Sequence, residues 1–278
     1  MKIAVCAASG QLGSAIISAL KKAVDPRQIV ALARTPEKAA HHGVELRKGD
    51  YTLKADFDEA LQDIDAVLLL SANGEPMARI PQHRNVINAA KEAGVKKIVY
   101  TSVGGDFGPV VKSNRQTEED IKASGLQYAI GRNGIYIEPD VDYIETYKRD
   151  GKITNSAGDG KCAYTSRDEL GAAYAKMLLE DVHNGQTYSL TGEAITQYQL
   201  ADYLNLAFGT NLVYEPMSVE EYEKERKAEL GDFLGGVIAA IYGSIRRGDF
   251  DTPSDYEKAA GRPHIGWEDY FRGLQQLA

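Results

Sequence analysis

The first half of the chain repeats one pattern: a short run of apolar, β-branched residues, then a longer stretch with helical spacing. Strand-length runs fall at Ile3–Ala7, Ile29–Ala33, Val44–Arg47, Ala66–Ser71, Lys97–Ser102 and Leu126–Gly131. Helical patterns lie between them at about Gly13–Val24, Pro36–His41, Phe57–Gln62, Ala78–Ala93 and Gln116–Ser124. Short runs that are apolar on both faces must be covered on both sides, which is the condition of a parallel sheet rather than of a half-wet antiparallel one. Regular β-α-β alternation then implies right-handed crossovers and an α/β, doubly wound sheet. Ligands of such sheets bind at the carboxyl ends of the strands.

The second half is organised differently. Ser166-Arg167-Asp168-Glu169, Thr196-Gln197-Tyr198-Gln199 and Ser218-Val219-Glu220-Glu221 each match the capping box, in which a hydroxyl and a side chain three residues on exchange bonds with each other's amides. Further strands are expected at Thr187–Thr191 and Leu212–Glu215. Gly231–Gly236 and Gly248–Ser254 read as loops, and Gly235–Ile245 as an apolar lobe helix. No linker or repeat interrupts the chain. The expectation is a sheet domain at 1–134 with returning segments near 153–192, interleaved with a smaller, mainly helical lobe at 135–278 that covers the strand ends.

Composition removes several functions. Asp and Glu outnumber Lys and Arg, 40 to 32, and the net charge of -8 leaves no basic stripe for nucleic acid. The longest apolar run, Ala66–Ala72, is too short to cross a bilayer. Of the two cysteines, Cys6 lies in a strand run, so no disulfide framework is expected and a cytoplasmic location is. His41-His42 has no Cys or carboxylate set beside it, so no metal site is expected.

The first strand leads into Val5-Cys6-Ala7-Ala8-Ser9-Gly10-Gln11-Leu12-Gly13. Small residues here, followed by an apolar helix, match the phosphate turn of a Rossmann-like dinucleotide domain. The helix amides of such a turn hold an anion, and its glycines allow the tight turn, close approach of the pyrophosphate and close helix–strand packing. The spacing is G-x-x-G-x-x-G with Ala7 in place of the first glycine. Alanine fits there if its φ is negative. At the end of the second strand, where NAD-selective domains carry an acid for the ribose 2′-hydroxyl, this chain has Arg34, with Lys38 one turn on. A guanidinium pairs with a 2′-phosphate, so NADPH is the expected cofactor. Thr35 as N-cap and Pro36 at the first helical position would fix where Arg34 stands.

The segments CAASGQLGSAI, QIVALARTPEKA, GVELRKGDY, PQHRNVINAAKEAGVKKIVYTS, GLQYAIGRNGIY and SAGDGK occur in the order found in the NmrA-like branch of the atypical short-chain dehydrogenase/reductases. Within that branch the chain most resembles the group of type 2 NAD(P)H:quinone oxidoreductases and triphenylmethane reductases. TSRDELGAAYAKML and AAIYGSIRRGDF carry the likeness through the second half. The family pattern has glycine at Ala7 and usually threonine at Ser9. The resemblance implies that Ala7, Ser9, Gly10, Gln11, Leu12 and Gly13 form the pyrophosphate turn and that Arg34 takes the 2′-phosphate. It also implies that Asp50 and Tyr51 border the adenine and that Ser71, Ala72, Asn73, Thr101 and Ser102 line the ribose–nicotinamide half. Asn133, Gly134, Ile135 and Tyr136 would flank the nicotinamide.

Ordinary members of the wider superfamily use a Tyr-x-x-x-Lys pair as proton donor, and none of the sixteen tyrosines here has lysine four residues on. A carbonyl reductase would lack its acid. A quinone or similar conjugated acceptor takes hydride directly and leaves its proton to solvent, so stacked contact with the nicotinamide suffices. The expectation is an NADPH-dependent reductase of a small conjugated acceptor, with Tyr136 orienting that acceptor. The alternative is a redox sensor that binds NADP without turnover. His83 reads as structural or surface, Ser113–Asp120 as a solvated helix start, and Glu220–Glu229 as an exposed charged face. Lys112 is left undecided, as is the oligomeric state.

Overall fold

The computed structural model describes residues 1–275. Six strands alternate with helices over the first half: β1 (Ile3–Val5), β2 (Ile29–Ala33), β3 (Glu45–Lys48), β4 (Ala66–Leu70), β5 (Lys97–Val103) and β6 (Gln127–Asn133). The intervening α-helices are α1 (Gln11–Lys21), α2 (Lys54–Ala60), α3 (Pro76–Glu92) and α4 (Pro109–Ala123). Pro36–His42 is a 3-10 helix, closed by Gly43 at a φ of +64°. Thr35 stands at its N-cap and Pro36 in its first turn, but the threonine side chain makes no capping bond.

Later strands are β7 (Ile135–Tyr136), β8 (Lys152–Asn155), β9 (Lys161–Thr165), β10 (Gln186–Leu190), β11 (Ala194–Thr196) and β12 (Val213–Pro216). The helices around them are α5 (Glu138–Asp142), α6 (Ile144–Asp150), α7 (Arg167–Leu179), α8 (Gln197–Phe208), α9 (Val219–Leu230), α10 (Asp232–Arg246), α11 (Tyr256–Ala260) and α12 (Trp267–Gln275).

The central sheet is parallel throughout, in the order β10-β6-β5-β4-β1-β2-β3. Alternate residues of each strand feed two separate cores. Ile3, Val5, Leu68 and Leu70 pack with Ile16 and Leu20 of α1 and Tyr174 and Leu178 of α7. Ala4, Cys6, Val67, Leu69 and Ile98 face Phe57 of α2, Val86 and Ala90 of α3, and Ile121 of α4. Both faces are therefore dry, as the apolar runs require. The chain winds from β1 outward to β3, then returns to β4 on the other side of β1, so the strand order reverses between β1 and β4. That reversal opens a crevice at their carboxyl ends.

A third core lies in the lobe over that crevice. The lobe is mainly helical but also carries two small sheets, β11-β9-β7 and β12-β8; β12 is the strand expected at Leu212–Glu215, while β7, β8, β9 and β11 were not expected. Residues 231–236, read as a loop, instead form the start of α10, capped by Gly231 at a φ of +82°. The glycines there do not break the helix; a Cβ on Gly235 would strike the Arg226 backbone, so its absence lets α10 lie against α9. The Thr196 and Ser218 capping boxes are complete. At Ser166 only the hydroxyl half forms, because Glu169 turns its carboxylate to Arg262 at 2.6 and 2.8 Å instead. Among the described residues no helix is long and apolar enough to cross a membrane.

Candidate cofactor and acceptor site

A continuous cavity of about 1050 Å³ starts at the turn after β1, passes the ends of β4, β5 and β6, and ends among the aromatic side chains of the lobe. Ala7, Gly10, Gln11, Leu12 and Gly13 line its first part. The first-turn amides of α1 have no acceptor within the helix, and they open onto this space. Gly10 donates to the Ala7 carbonyl at 3.0 Å. A methyl group on Gly13 would come within 2.6 Å of that same oxygen and 3.0 Å of the Ala8 Cα, so only glycine lets helix and strand meet this closely. The turn therefore fits a pyrophosphate.

Ala7 itself corrects the sequence reading. Its φ is +49°, in the left-handed region, so the alanine is strained where the family's glycine would be relaxed. Ala7→Gly is expected to raise stability by about 1 kcal/mol, read from the denaturant midpoint, with cofactor binding kept. A neutral or destabilising result would show that the strain is relieved some other way.

The turn has a support that the sequence did not reveal. His42, expected only to close a short helix, is buried, and its Nε2 lies 3.0 Å from the Ala8 carbonyl and 3.4 Å from Ser14 Oγ. The contact with Ala8 requires the proton on Nε2. Burial lowers the pKa of the ring, so it stays neutral and tethers the turn to the 3-10 helix.

Ser71, Ala72 and Asn73 after β4, Thr101 and Ser102 in β5, and Asn133–Tyr136 after β6 line the middle of the cavity. The Ser71 amide donates to Thr101 Oγ1 at 2.9 Å, and the Ala72 amide donates to His83 Nε2 at 2.9 Å. His83 is fully buried, with its Nδ1 2.8 Å from Thr117 Oγ1, and burial takes its pKa down to about 3. It is a neutral strut that holds the loop after β4.

The segment Ser113–Asp120, expected to be solvated, is largely inside: Ser113, Asn114, Thr117 and Glu118 are buried. Asn114 accepts from Ser71 Oγ at 3.0 Å and from the Tyr100 hydroxyl. Glu118 accepts from Ser102 Oγ at 2.6 Å, from Arg115 at 2.6 Å, and from Arg132 at 3.0 and 2.6 Å. These polar groups are buried because they satisfy one another across β5 and β6. Asn133 accepts from the Tyr174 hydroxyl at 2.6 Å and donates to Tyr136 Oη at 3.2 Å. Burial raises the pKa of Tyr136, which keeps it a phenol, and Arg167 lies over its ring at 5.1 Å.

Ser9, Arg34, Asp50 and Tyr51 do not line the cavity. Ser9 and Arg34 are exposed. Arg34 has no ion pair among the described residues, so it is free to meet an anion. Asp50 accepts from the Thr52 amide and hydroxyl at 2.9 and 2.7 Å. Tyr51 turns inward, donating to the Leu70 carbonyl at 2.8 Å and stacking on Phe57, so its ring is part of the wall below the crevice. Lys112 is exposed and away from the cavity.

The lobe end is aromatic. Tyr143, Tyr147, Phe233, Val237, Ile241 and Tyr242 are among its lining residues. Tyr222, Arg226 and Glu229 line it too, so one side of the helix read as a solvated charged face looks into the site. Asp140 is the group here that sequence reasoning missed. It is 5% exposed, and its Oδ1 accepts from the Tyr147 hydroxyl at 2.9 Å and the Tyr242 hydroxyl at 3.4 Å. Burial pushes its carboxyl up to about 6, against the pull of hydrogen bonds from Tyr147, Tyr164 and Tyr242.

Comparison with known proteins fits this geometry. A model of NAD(P)H-binding proteins matches residues 7–181. Quinone oxidoreductase 2 of Escherichia coli (strain K12) is 38% identical over 270 residues, covering 94% of each chain. The chain belongs to the NmrA-like NAD(P)H-binding reductases. Among solved structures of this family, the NADPH complex of the NADPH-dependent quinone oxidoreductase from Escherichia coli superposes with a TM-score of 0.90. It shares 35% identity, with 98% of this chain and 99% of that one covered. The NADP(H) complex of triphenylmethane reductase from Citrobacter sp. gives 0.91 and 32%, covering 98% and 100%.

Proposed function

We propose that the chain is an NADPH-dependent oxidoreductase that reduces a quinone or related conjugated acceptor by direct hydride transfer. The observation that carries this is the single cavity joining the phosphate turn to an aromatic slot past the ends of β4, β5 and β6. Ala7, Ser9 and Gly10–Gly13 would hold the pyrophosphate, and Arg34 the 2′-phosphate. Asp50 and Tyr51 would border the adenine. Ser71–Asn73, Thr101 and Ser102 would hold the ribose–nicotinamide half, and Asn133–Tyr136 would flank the nicotinamide. Bound NADPH supplies the hydride.

The chain's own residues do the rest by placement. Aromatic walls present a flat slot, and the Tyr136 hydroxyl stands beside Asn133 to orient the acceptor's oxygen. The absent Tyr-x-x-x-Lys pair fits an acceptor that needs no acid to accept hydride. Both cysteines are buried and unpaired, which suits our assignment of the enzyme to the reducing cytoplasm.

Absorbance at 340 nm tests the reading. Enzyme with NADPH and menadione is expected to lose the cofactor band well above the acceptor-free rate. NADPH binding by fluorescence with no turnover across several quinones and dyes would leave a sensor instead.

A further inference from the structure

Of the carboxyl groups that line the lobe end of the cavity, Asp140 is buried, whereas Asp150 and Glu229 are exposed. Asp140 stands on α5, and its Oδ1 is held by the hydroxyls of Tyr147 from α6 and Tyr242 from α10. Tyr164 of β9 also bonds to the carboxyl, and Asp140 is among the residues that line the cavity. The groups packed around it from β9 and α9 are Tyr164, Cys162 and Tyr222, all neutral at physiological pH because burial raises each of them. No cation lies within ion-pair distance among the described residues. A buried carboxyl held by tyrosine hydroxyls, with no cation within ion-pair distance among the described residues, is costly to keep as an anion.

We propose that Asp140 is the general acid of this site, delivering a proton to the oxygen of the reduced acceptor, with Tyr147 and Tyr242 as positioning residues that hold its carboxyl toward the slot. This rests on the reading of the chain as a reductase of a conjugated acceptor. Hydride from NADPH brings two electrons and one hydrogen to a quinone and leaves an oxyanion. The Asp140 O–H bond then breaks, the acceptor O–H bond forms, and the carboxylate regains its proton from water. Nothing further is oxidised or reduced. The sequence reading leaves that proton to solvent; Asp140, which lines the slot, supplies it from within the site. The carboxyl, raised to about 6, is poised for this exchange near neutral pH.

The experiment uses menadione, whose reduction needs a proton, beside crystal violet, a triarylmethyl cation that becomes neutral on taking hydride and needs none. In the wild type, kcat for menadione is expected to fall as pH rises through about 6 and to carry a solvent deuterium isotope effect. Crystal violet kcat should show neither. Asp140→Asn should lower the ratio of menadione to crystal violet kcat about 100-fold and abolish the pH limb, and Asp140→Glu should restore part of it. Independently of turnover, carbon-13 NMR of the cofactor-free protein should show one carboxyl titrating near 6 that Asp140→Asn lacks. A menadione rate flat across the acid range in the wild type overturns the proposal whether or not the variant folds, and equal losses on both acceptors in a folded variant overturn it as well. A wild type that binds NADPH but reduces neither acceptor sinks the reductase reading itself, and the acid with it.

Discussion

Arg34→Glu is expected to raise the Kd for NADPH about 100-fold while changing that for NADH less than about threefold. Losing a charge-assisted bond to the 2′-phosphate removes about 1.5–3 kcal/mol, and a carboxylate in its place adds repulsion. A 100-fold change corresponds to about 2.8 kcal/mol, within that sum. The position suits the experiment because Arg34 is exposed and pairs with no carboxylate among the described residues. Its replacement strands no buried partner, and stability should stay within about 0.5 kcal/mol. Titration calorimetry with both cofactors gives the answer directly. Equal weakening of NADPH and NADH would remove the 2′-phosphate role, and unchanged binding of both would place the adenosine end elsewhere.

The sheet was legible because its demand is local: a run that is apolar on both faces can only be covered on both sides, and each of the six runs became a strand. The crevice followed from strand order alone. What stayed hidden depends on partners distant in sequence. Ser113–Asp120 looks solvated because its residues are polar, yet Asn114 and Glu118 answer Ser71, Ser102 and Arg132 across two strands. Asp140 looks like one more acid in an acidic stretch, and only the fold brings Tyr242 to it from a hundred and two residues away. Gly231 and Gly235 look like loop residues because glycine usually breaks helices, while here Gly231 caps α10 and Gly235 lets it lie against α9. The left-handed φ of Ala7 is invisible for a simpler reason: a small side chain at a turn is compatible with either sign. His42 left no mark at all, since its acceptor is a backbone carbonyl.

Glu118→Gln should cost about 3 kcal/mol of stability at neutral pH, the lower end for breaking a buried ion pair because Arg115 and Arg132 are each about one-third exposed. Glutamine keeps the volume and one carbonyl acceptor. It cannot neutralise two guanidiniums, and its amide presents a donor toward Arg115 or Arg132. Burial opposes ionisation of Glu118, but bonds from Arg132 and Ser102 and the charge of Arg115 outweigh it, so its carboxyl sits below the usual range. A depressed native value means the stabilisation is present at neutral pH and is lost as pH falls through that value. The gap between wild type and variant should therefore start to narrow as pH falls below the unfolded carboxyl value of about 4.3 and close as it falls through the lower native value. Guanidinium denaturation at both pH values measures this, because a stability change moves the midpoint without altering the slope. The effect should extend into the site as well, since the same carboxylate holds Ser102 at the end of β5. A deficit that persists unchanged into acid would show that packing, not charge, is what Glu118 supplies.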